Sequence, residues 1–347
     1  MSNKFTPISE LGEFGLIDQL LKDNSNQHIS TIKGTGDDSA VIEYLTKKKC
    51  LISTDMLAEG VHFDPTYTPL KHLGYKAIVV NISDICAMNG IATHALVSLG
   101  IPNKYSVEHI EELYSGIYTA CKNYNIDLVG GDTTSSASGL IINITIIGEP
   151  SSKGLSYRSG AQANDVVFVS GDLGGAYLGL QILEREKQIF MQDEKSQPEL
   201  TQYSSILERQ LKPEAQVKII RELKKLEIVP SSMIDVSDGL SSDLRHICKE
   251  SMVGVKIFEN KIPISKETSK VANELNIDPL FCALHGGEDY EMLFTAPTSL
   301  YKKITQINSI TAIGHITSEQ NKIELITSSE QEIDLSSEGW DSFLAKK

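Results

Sequence analysis

The chain has 347 residues, 40% hydrophobic and 22% charged, a soluble globular profile that excludes a disordered, collagen-like or membrane-embedded chain. Lys and Arg total 32 against 46 Asp and Glu, a formal net charge of −14, which disfavours non-specific binding to nucleic acid or anionic membranes. Five scattered cysteines, Cys50, Cys86, Cys121, Cys248 and Cys282, make no CxxC pair, so the expectation is a reducing compartment with no disulfide framework and no zinc site.

The opening stretch lacks the apolar core of a signal peptide, and no apolar run reaches spanning length; the expected location is the cytoplasm. The length suits two domains. In chain order, Ser39–Leu45 and Cys50–Thr54 read as strands around a Lys47-Lys48-Lys49 turn, and Leu70–Met88 as a long apolar helix. His94–Gly100 reads as strand, Val107–Tyr124 as helix, Ile126–Val129 and Leu140–Ile147 as strands. The Pro- and Gly-punctuated run from Glu149 to Gly154 places a domain boundary there, giving 1–150 and 151–347. The second half restarts with strand Asp165–Ser170, a helix from Ala176, and a polar loop over Glu186–Leu200. Helix Glu214–Leu226, strand Ser232–Val236, helix Ser241–Glu250 and strand Val253–Glu259 follow, then a glycine-rich turn within Leu280–Leu293 and short terminal strands. This alternation predicts an α/β or α+β fold.

Acidic residues lie inside apolar segments, where a solvated charge run would not. Gly34–Ile42 delivers Asp37 and Asp38 from a flexible turn to the start of a strand; an Asx turn gives the same pattern. Leu51-Ile52-Ser53-Thr54-Asp55 ends an apolar strand in two hydroxyls and a carboxylate, hard oxygen donors that suit Mg²⁺, or a strand terminator. Asp84 is the one charge within Ala77–Met88, with Asn81 on its face at i, i+3; buried there it needs a metal or several hydrogen-bond donors. Leu128-Val129-Gly130-Gly131-Asp132 runs a strand into two glycines and an acid, the setting of a ligand at a strand end or of a simple turn. Asp235 interrupts the apolar Ile234-Asp235-Val236, while Ser237 and Asp238 stand where a helix begins and suit N-capping equally well.

Carboxylates gathered in one place raise each other's pKa, and divalent cations relieve that cost. The economical reading of the five segments is a multi-Mg²⁺ site for a phosphate-rich ligand. Walker-type, HExxH and GxSxG motifs are absent from the chain, which disfavours the chemistries they carry. Val169–Ala176 is glycine-rich without GxGxxG spacing and reads as a tight βα turn. Arg158, the first arginine in the chain, sits in a turn-like segment and is the candidate for a loop-borne phosphate contact. His285-Gly286-Gly287-Glu288-Asp289-Tyr290-Glu291 makes a tight polar loop whose Glu288 could bond an amino-bearing ring, or else a hairpin-like turn.

Taken in order, Gly36–Ala40, Ser53–Asp55, Asn81–Asp84, Gly130–Thr134, Arg158–Gly160, Asp235–Leu240 and Gly286–Glu291 closely resemble the thiamine-monophosphate kinase family. The resemblance runs from Glu13–Ile17 to Gly339-Trp340. Single motifs are shared with the wider superfamily of aminoimidazole ribonucleotide synthetase and selenophosphate synthetase.

The resemblance implies a two-domain aminoimidazole ribonucleotide synthetase-like fold, dimerising through N-terminal strands, and ATP-dependent phosphorylation of thiamine monophosphate to thiamine diphosphate with several Mg²⁺ ions. It implies magnesium ligands at Asp38, Ser53, Thr54, Asp55, Asp84, Asp132, Asp235 and Asp238, ATP contacts at Gly131, Asp132, Arg158 and Ser237, and substrate contacts at His62, Glu288 and Trp340. The resemblance further implies a nucleotide contact from a tyrosine near Tyr114, and it assigns no general base. The competing readings are another ATP-using superfamily member or a non-catalytic binding module. A selenophosphate synthetase would show a reactive Cys near its N-terminal glycine-rich segment, and a hydrogenase-maturation relative a C-terminal Cys; the first Cys here is Cys50 and the chain ends Phe343–Lys347.

Overall fold

The computed structural model describes residues 30–33, 37–43, 48–151, 154–192 and 200–335. Trp340, the Glu13–Ile17 start and Gly36 lie outside the described residues.

The first half builds β1 (Thr31–Lys33), β2 (Ala40–Glu43), β3 (Lys49–Ala58), α1 (Leu70–Ala87), β4 (Gly90–Ile101), α2 (Val107–Tyr124), β5 (Asp127–Ser135) and β6 (Ile141–Pro150). The strands form one sheet in the order β1-β2-β3-β6-β4-β5, antiparallel except for β4 with β5. Period-2 alternation assigns its faces. On β6, Ile142, Ile144 and Ile146 are buried while Asn143 and Thr145 between them are not.

The second half supplies β7 (Val166–Ser170), α3 (Gly175–Gln192), α4 (Ser204–Leu211), α5 (Val217–Lys225), β8 (Ser232–Asp235), α6 (Leu240–Ser251), β9 (Gly254–Phe258), α7 (Lys266–Glu274), α8 (Pro279–His285), β10 (Met292–Ala296), β11 (Ile310–Thr317), β12 (Ile323–Ile326) and β13 (Glu332–Asp334). Its sheet runs β13-β12-β9-β11-β7-β10-β8. Both sheets are mixed and mostly antiparallel, with helices packed against them, so the fold is α/β in the α+β sense.

α1 is apolar nearly all round and buried nearly all round, as such a helix must be. It lies between the first sheet, α2 and the second half. The core beneath it continues from Leu51, Ile78, Ile82 and Ile144 into Phe168, Met292 and Phe294 of the second sheet. Two glycines bring α1 and α2 together. A Cβ on Gly116 would stand 1.9 Å from the Lys71 carbonyl oxygen, and one on Gly74 would stand 2.0 Å from that of Leu113.

Several element boundaries differ from expectation. α3 runs through Gln192, so Glu186–Gln192 is helix and not loop. Its Glu, Lys, Gln and Arg side chains are good helix formers, and Glu184 and Lys187 bond Tyr67 and Asp64 of the first half. β3 continues past Asp55 to Ala58. β5 continues through Gly130-Gly131-Asp132 to Ser135, because pairing with β4 extends over Leu96–Ile101. Asp55 and Asp132 therefore sit within strands, not at their ends.

Candidate active site

The site assembles around α1. On β3, Ser53 and Asp55 share the face turned toward this helix. The Ser53 hydroxyl donates to Asp84 Oδ2, and the Asp55 N–H donates to Asn81 Oδ1 at 3.0 Å. The i, i+3 pair Asn81/Asp84 thus faces β3. Ser83 faces the other way and donates to Asp235 Oδ2 at 2.5 Å, at the end of β8. Asp38 enters from the turn before β2. Asp38, Asp84 and Asp235, 46 and 151 residues apart along the chain, each bring a carboxylate oxygen within 4.8 Å of the others.

The surroundings penalise charge on these groups. Burial, then the neighbouring Asp55, Asp235 and Asp38, pushes Asp84 well above the ordinary carboxylate range. Burial and then Asp38 push Asp235 up to about 7 and Asp55 up to about 6. The nearest compensating charge is Arg158, whose Nε and Nη2 fork onto Asp38 at 3.0 and 2.9 Å. Its backbone N–H points at Asp37. Oxygen-only donors, short of positive charge and held by second hydrogen bonds from Ser53 and Ser83, fit a hard divalent cation.

Ser237 and Asp238 follow β8 without capping α6, whose N-cap residue is Gly239 with no side-chain cap bond. The Ser237 carbonyl accepts the Glu288 N–H at 2.7 Å. Glu288 and Tyr290 both take positive φ, 57° and 52°. Their loop is pinned by Asp289, which accepts the N–H of Gly174 at 2.7 Å, and by Glu291, which takes the Ser170 hydroxyl and lies 3.9 Å from Arg209. His62 follows β3 and its Nδ1 accepts the Ala58 N–H at 3.1 Å.

Thr54 and Asp132 do not join this cluster. Thr54 is exposed on the opposite face of β3, its hydroxyl at Thr145 and the Ile144 carbonyl. Asp132 is exposed on β5, in register with Ser98, which pairs with Asn143 of β6. Along the sheet, β3 and β5 are three strand spacings apart, roughly 14 Å. Gly131 permits close pairing: a Cβ there would meet the Val97 carbonyl oxygen at 1.8 Å.

Sequence reasoning passed over three participants. Asp243 is 1% exposed on α6, its Oδ2 without a hydrogen-bond partner; its signal was an acid within the 240/243/244/247 core stripe. Lys76 and Gln210, both buried, hold Glu288. A groove of about 930 Å³ also opens along α2, lined by Ile101, Tyr105, Ile110, Tyr114, Tyr118 and Lys122.

Comparison with known proteins sets the class first. Residues 36–149 match the AIR synthase related protein N-terminal domain, and 162–331 match the AIR synthase related protein C-terminal domain. Within that class, the thiamine-monophosphate kinase of Aquifex aeolicus (strain VF5) is 36% identical over 303 residues, covering 87% of this chain and 92% of the relative. That of Bacillus subtilis (strain 168) is 33% identical, covering 92% and 96%. The solved AaThiL complexed with AMPPCP and TMP superposes with a TM-score of 0.81 at 33% identity, over 97% of this chain and 99% of that one. The chain belongs to the thiamine-monophosphate kinase family.

Proposed function

We propose that this protein transfers the γ-phosphoryl group of ATP to the phosphate of thiamine monophosphate, forming thiamine diphosphate. The observation that carries the reading is the convergence of Asp38, Asp84 and Asp235 from three remote segments, in a chain whose relatives bear that name. The proposed halves are 1–150 and 151–347, with the carboxylates drawn from both.

Asp38, Asp84 and Asp235 would hold Mg²⁺, with Ser53, Asp55 and Asp238 beside them. Bound there, Mg²⁺ would neutralise charge on the phosphates. The acceptor phosphate is already anionic near neutral pH, so the chain's task is to position two anions, not to remove a proton. Arg158 supplies a guanidinium that suits a phosphate once Asp38 has another partner. Ser237 is read as an ATP contact, and the Tyr114-bearing groove is read as the place for the base. His62 and Glu288 face the thiamine end, with Glu288 accepting from the amino group of its pyrimidine ring; Trp340 completes that assignment.

Thr54 and Asp132 join the reading through a second copy. Because they stand roughly 14 Å apart across one sheet, Asp132 would reach Thr54 from a partner's edge strand. Met56 and Val129, exposed at 55% and 56%, support a homodimer with its contact on this open face.

The test is to supply ATP and Mg²⁺ with and without thiamine monophosphate, following ADP and thiamine diphosphate. Stoichiometric formation of both is expected. ADP release indifferent to thiamine monophosphate would overturn the reading.

A further inference from the structure

Lys76 lies on α1 at 4% exposure. Lysine is almost never so buried without a partner. Its Nζ lies 2.8 Å from Glu288 Oε1 and donates to the Gln210 carbonyl at 3.1 Å. The Gln210 side chain takes the other carboxylate oxygen, Nε2 to Glu288 Oε2 at 2.6 Å. Reversing that amide would set oxygen against oxygen, so its orientation follows from Glu288. The consequence is that Gln210 Oε1 is buried with no hydrogen-bond partner, a cost the protein carries to keep the donor on Glu288.

We propose that Lys76 and Gln210 are positioning residues for Glu288, and that α1 sets the spacing between the heterocycle end and the phosphoryl end of the substrate. Two observations separate this from a plain bridge between the halves. Glu288 keeps 31% side-chain exposure and a left-handed backbone, and strain of that kind gathers at functional positions. Its carboxylate has about four acceptor sites, and two are occupied, leaving acceptors for a ligand N–H. The second observation is register. Lys76 and Ser83 are i, i+7 and share one stripe of α1, roughly 10.5 Å apart along its axis. Lys76 holds Glu288, and Ser83 holds Asp235. One rigid helix therefore ties the recognition acid and a cage acid of the second half to a common frame.

This inference rests on Glu288 facing the substrate. The experiment is steady-state kinetics with both substrates varied on Lys76→Met, Gln210→Met, Glu288→Gln and the double variant Lys76→Met/Glu288→Gln. Lys76→Met and Gln210→Met are expected to raise KM for thiamine monophosphate about tenfold and KM for ATP less than about threefold. In the Glu288→Gln background, Lys76→Met should add little, the coupling expected of residues acting through one group. Equal rises in both KM values, or additivity in the double variant, would mark a structural bridge and overturn the proposal, as would an unchanged KM in both single variants. Gln210→Met changes no charge and tests the idea if Lys76→Met does not fold. Wild-type ADP release that ignores thiamine monophosphate would instead be the failure of the parent reading.

Discussion

Arg158 grips Asp38 with two parallel hydrogen bonds, 3.0 Å from Nε and 2.9 Å from Nη2, and the Asp38 side chain beneath is 1% exposed. A guanidinium from the start of the second half is thus the built-in counterion of an acidic cage begun in the first. Removing it leaves Asp38 buried without its partner, which costs about 3 kcal/mol or more. Arg158→Ala should therefore melt several degrees lower without divalent cation and recover more than wild type on adding Mg²⁺. Thermal melts with and without Mg²⁺ check this; equal Mg²⁺ shifts in both proteins would contradict it.

Burial and the neighbouring carboxylates oppose charge on Asp84 and Asp235. Asp84→Asn keeps an acceptor for the Ser53 hydroxyl and removes a carboxyl whose ionisation its surroundings oppose. Metal-free stability should hold or rise, by about 1 kcal/mol, while turnover falls at least about a thousandfold. Unfolding curves and ADP assays on one preparation separate the two. A variant that keeps turnover, or loses stability in proportion to activity, would argue against the cage.

Glu291 gives a pH dependence outside the cage. Burial lifts it to about 7, despite the Ser170 hydroxyl and Arg209, with Asp289 and Asp172 adding to the rise. A raised carboxyl favours the folded state while protonated. Its contribution is full below its ordinary value near 4.5 and is lost as pH climbs through about 7. Glu291→Gln should gain stability relative to wild type between pH 5 and pH 8, on the order of 2 kcal/mol. Denaturant midpoints at the two pH values measure it, and a difference that stays flat would refute the assignment.

Gly116 carries a packing prediction. Its missing Cβ lets α2 lie against the Lys71 carbonyl oxygen, so Gly116→Ala must push the helices apart. The expected loss is about 2–4 kcal/mol. It should lower activity as well, because α1 carries Lys76, Ser83 and Asp84. Wild-type stability in this variant would mean the two helices do not pack backbone to backbone at Gly116.

α2, β4 and the strand of alternating isoleucines at β6 could be read from periodicity, since burial of one face leaves its period in the chain, while α1, buried nearly all round, was legible from the length of its apolar run. The polar end of α3 could not, because its outward side chains resemble those of a loop until Tyr67 and Asp64 are brought against it. Lys76 and Gln210 carry no signal of their own in the sequence, one a lysine within an apolar helix and the other outside every element expected from the chain. Glu288, 212 residues from Lys76 and 78 from Gln210, is brought against both only by the tertiary fold.

Residue type alone determined that acids sit in apolar segments, and therefore that something must compensate them. Which acids meet is decided by long-range packing. Strand alternation turns Thr54 away from Ser53 and Asp55, register carries Asp132 to the far edge of its sheet, and one helix buried between two sheets sets Asp84 against Asp38 and Asp235. Periodicity records which side of an element is buried, but not which distant element buries it.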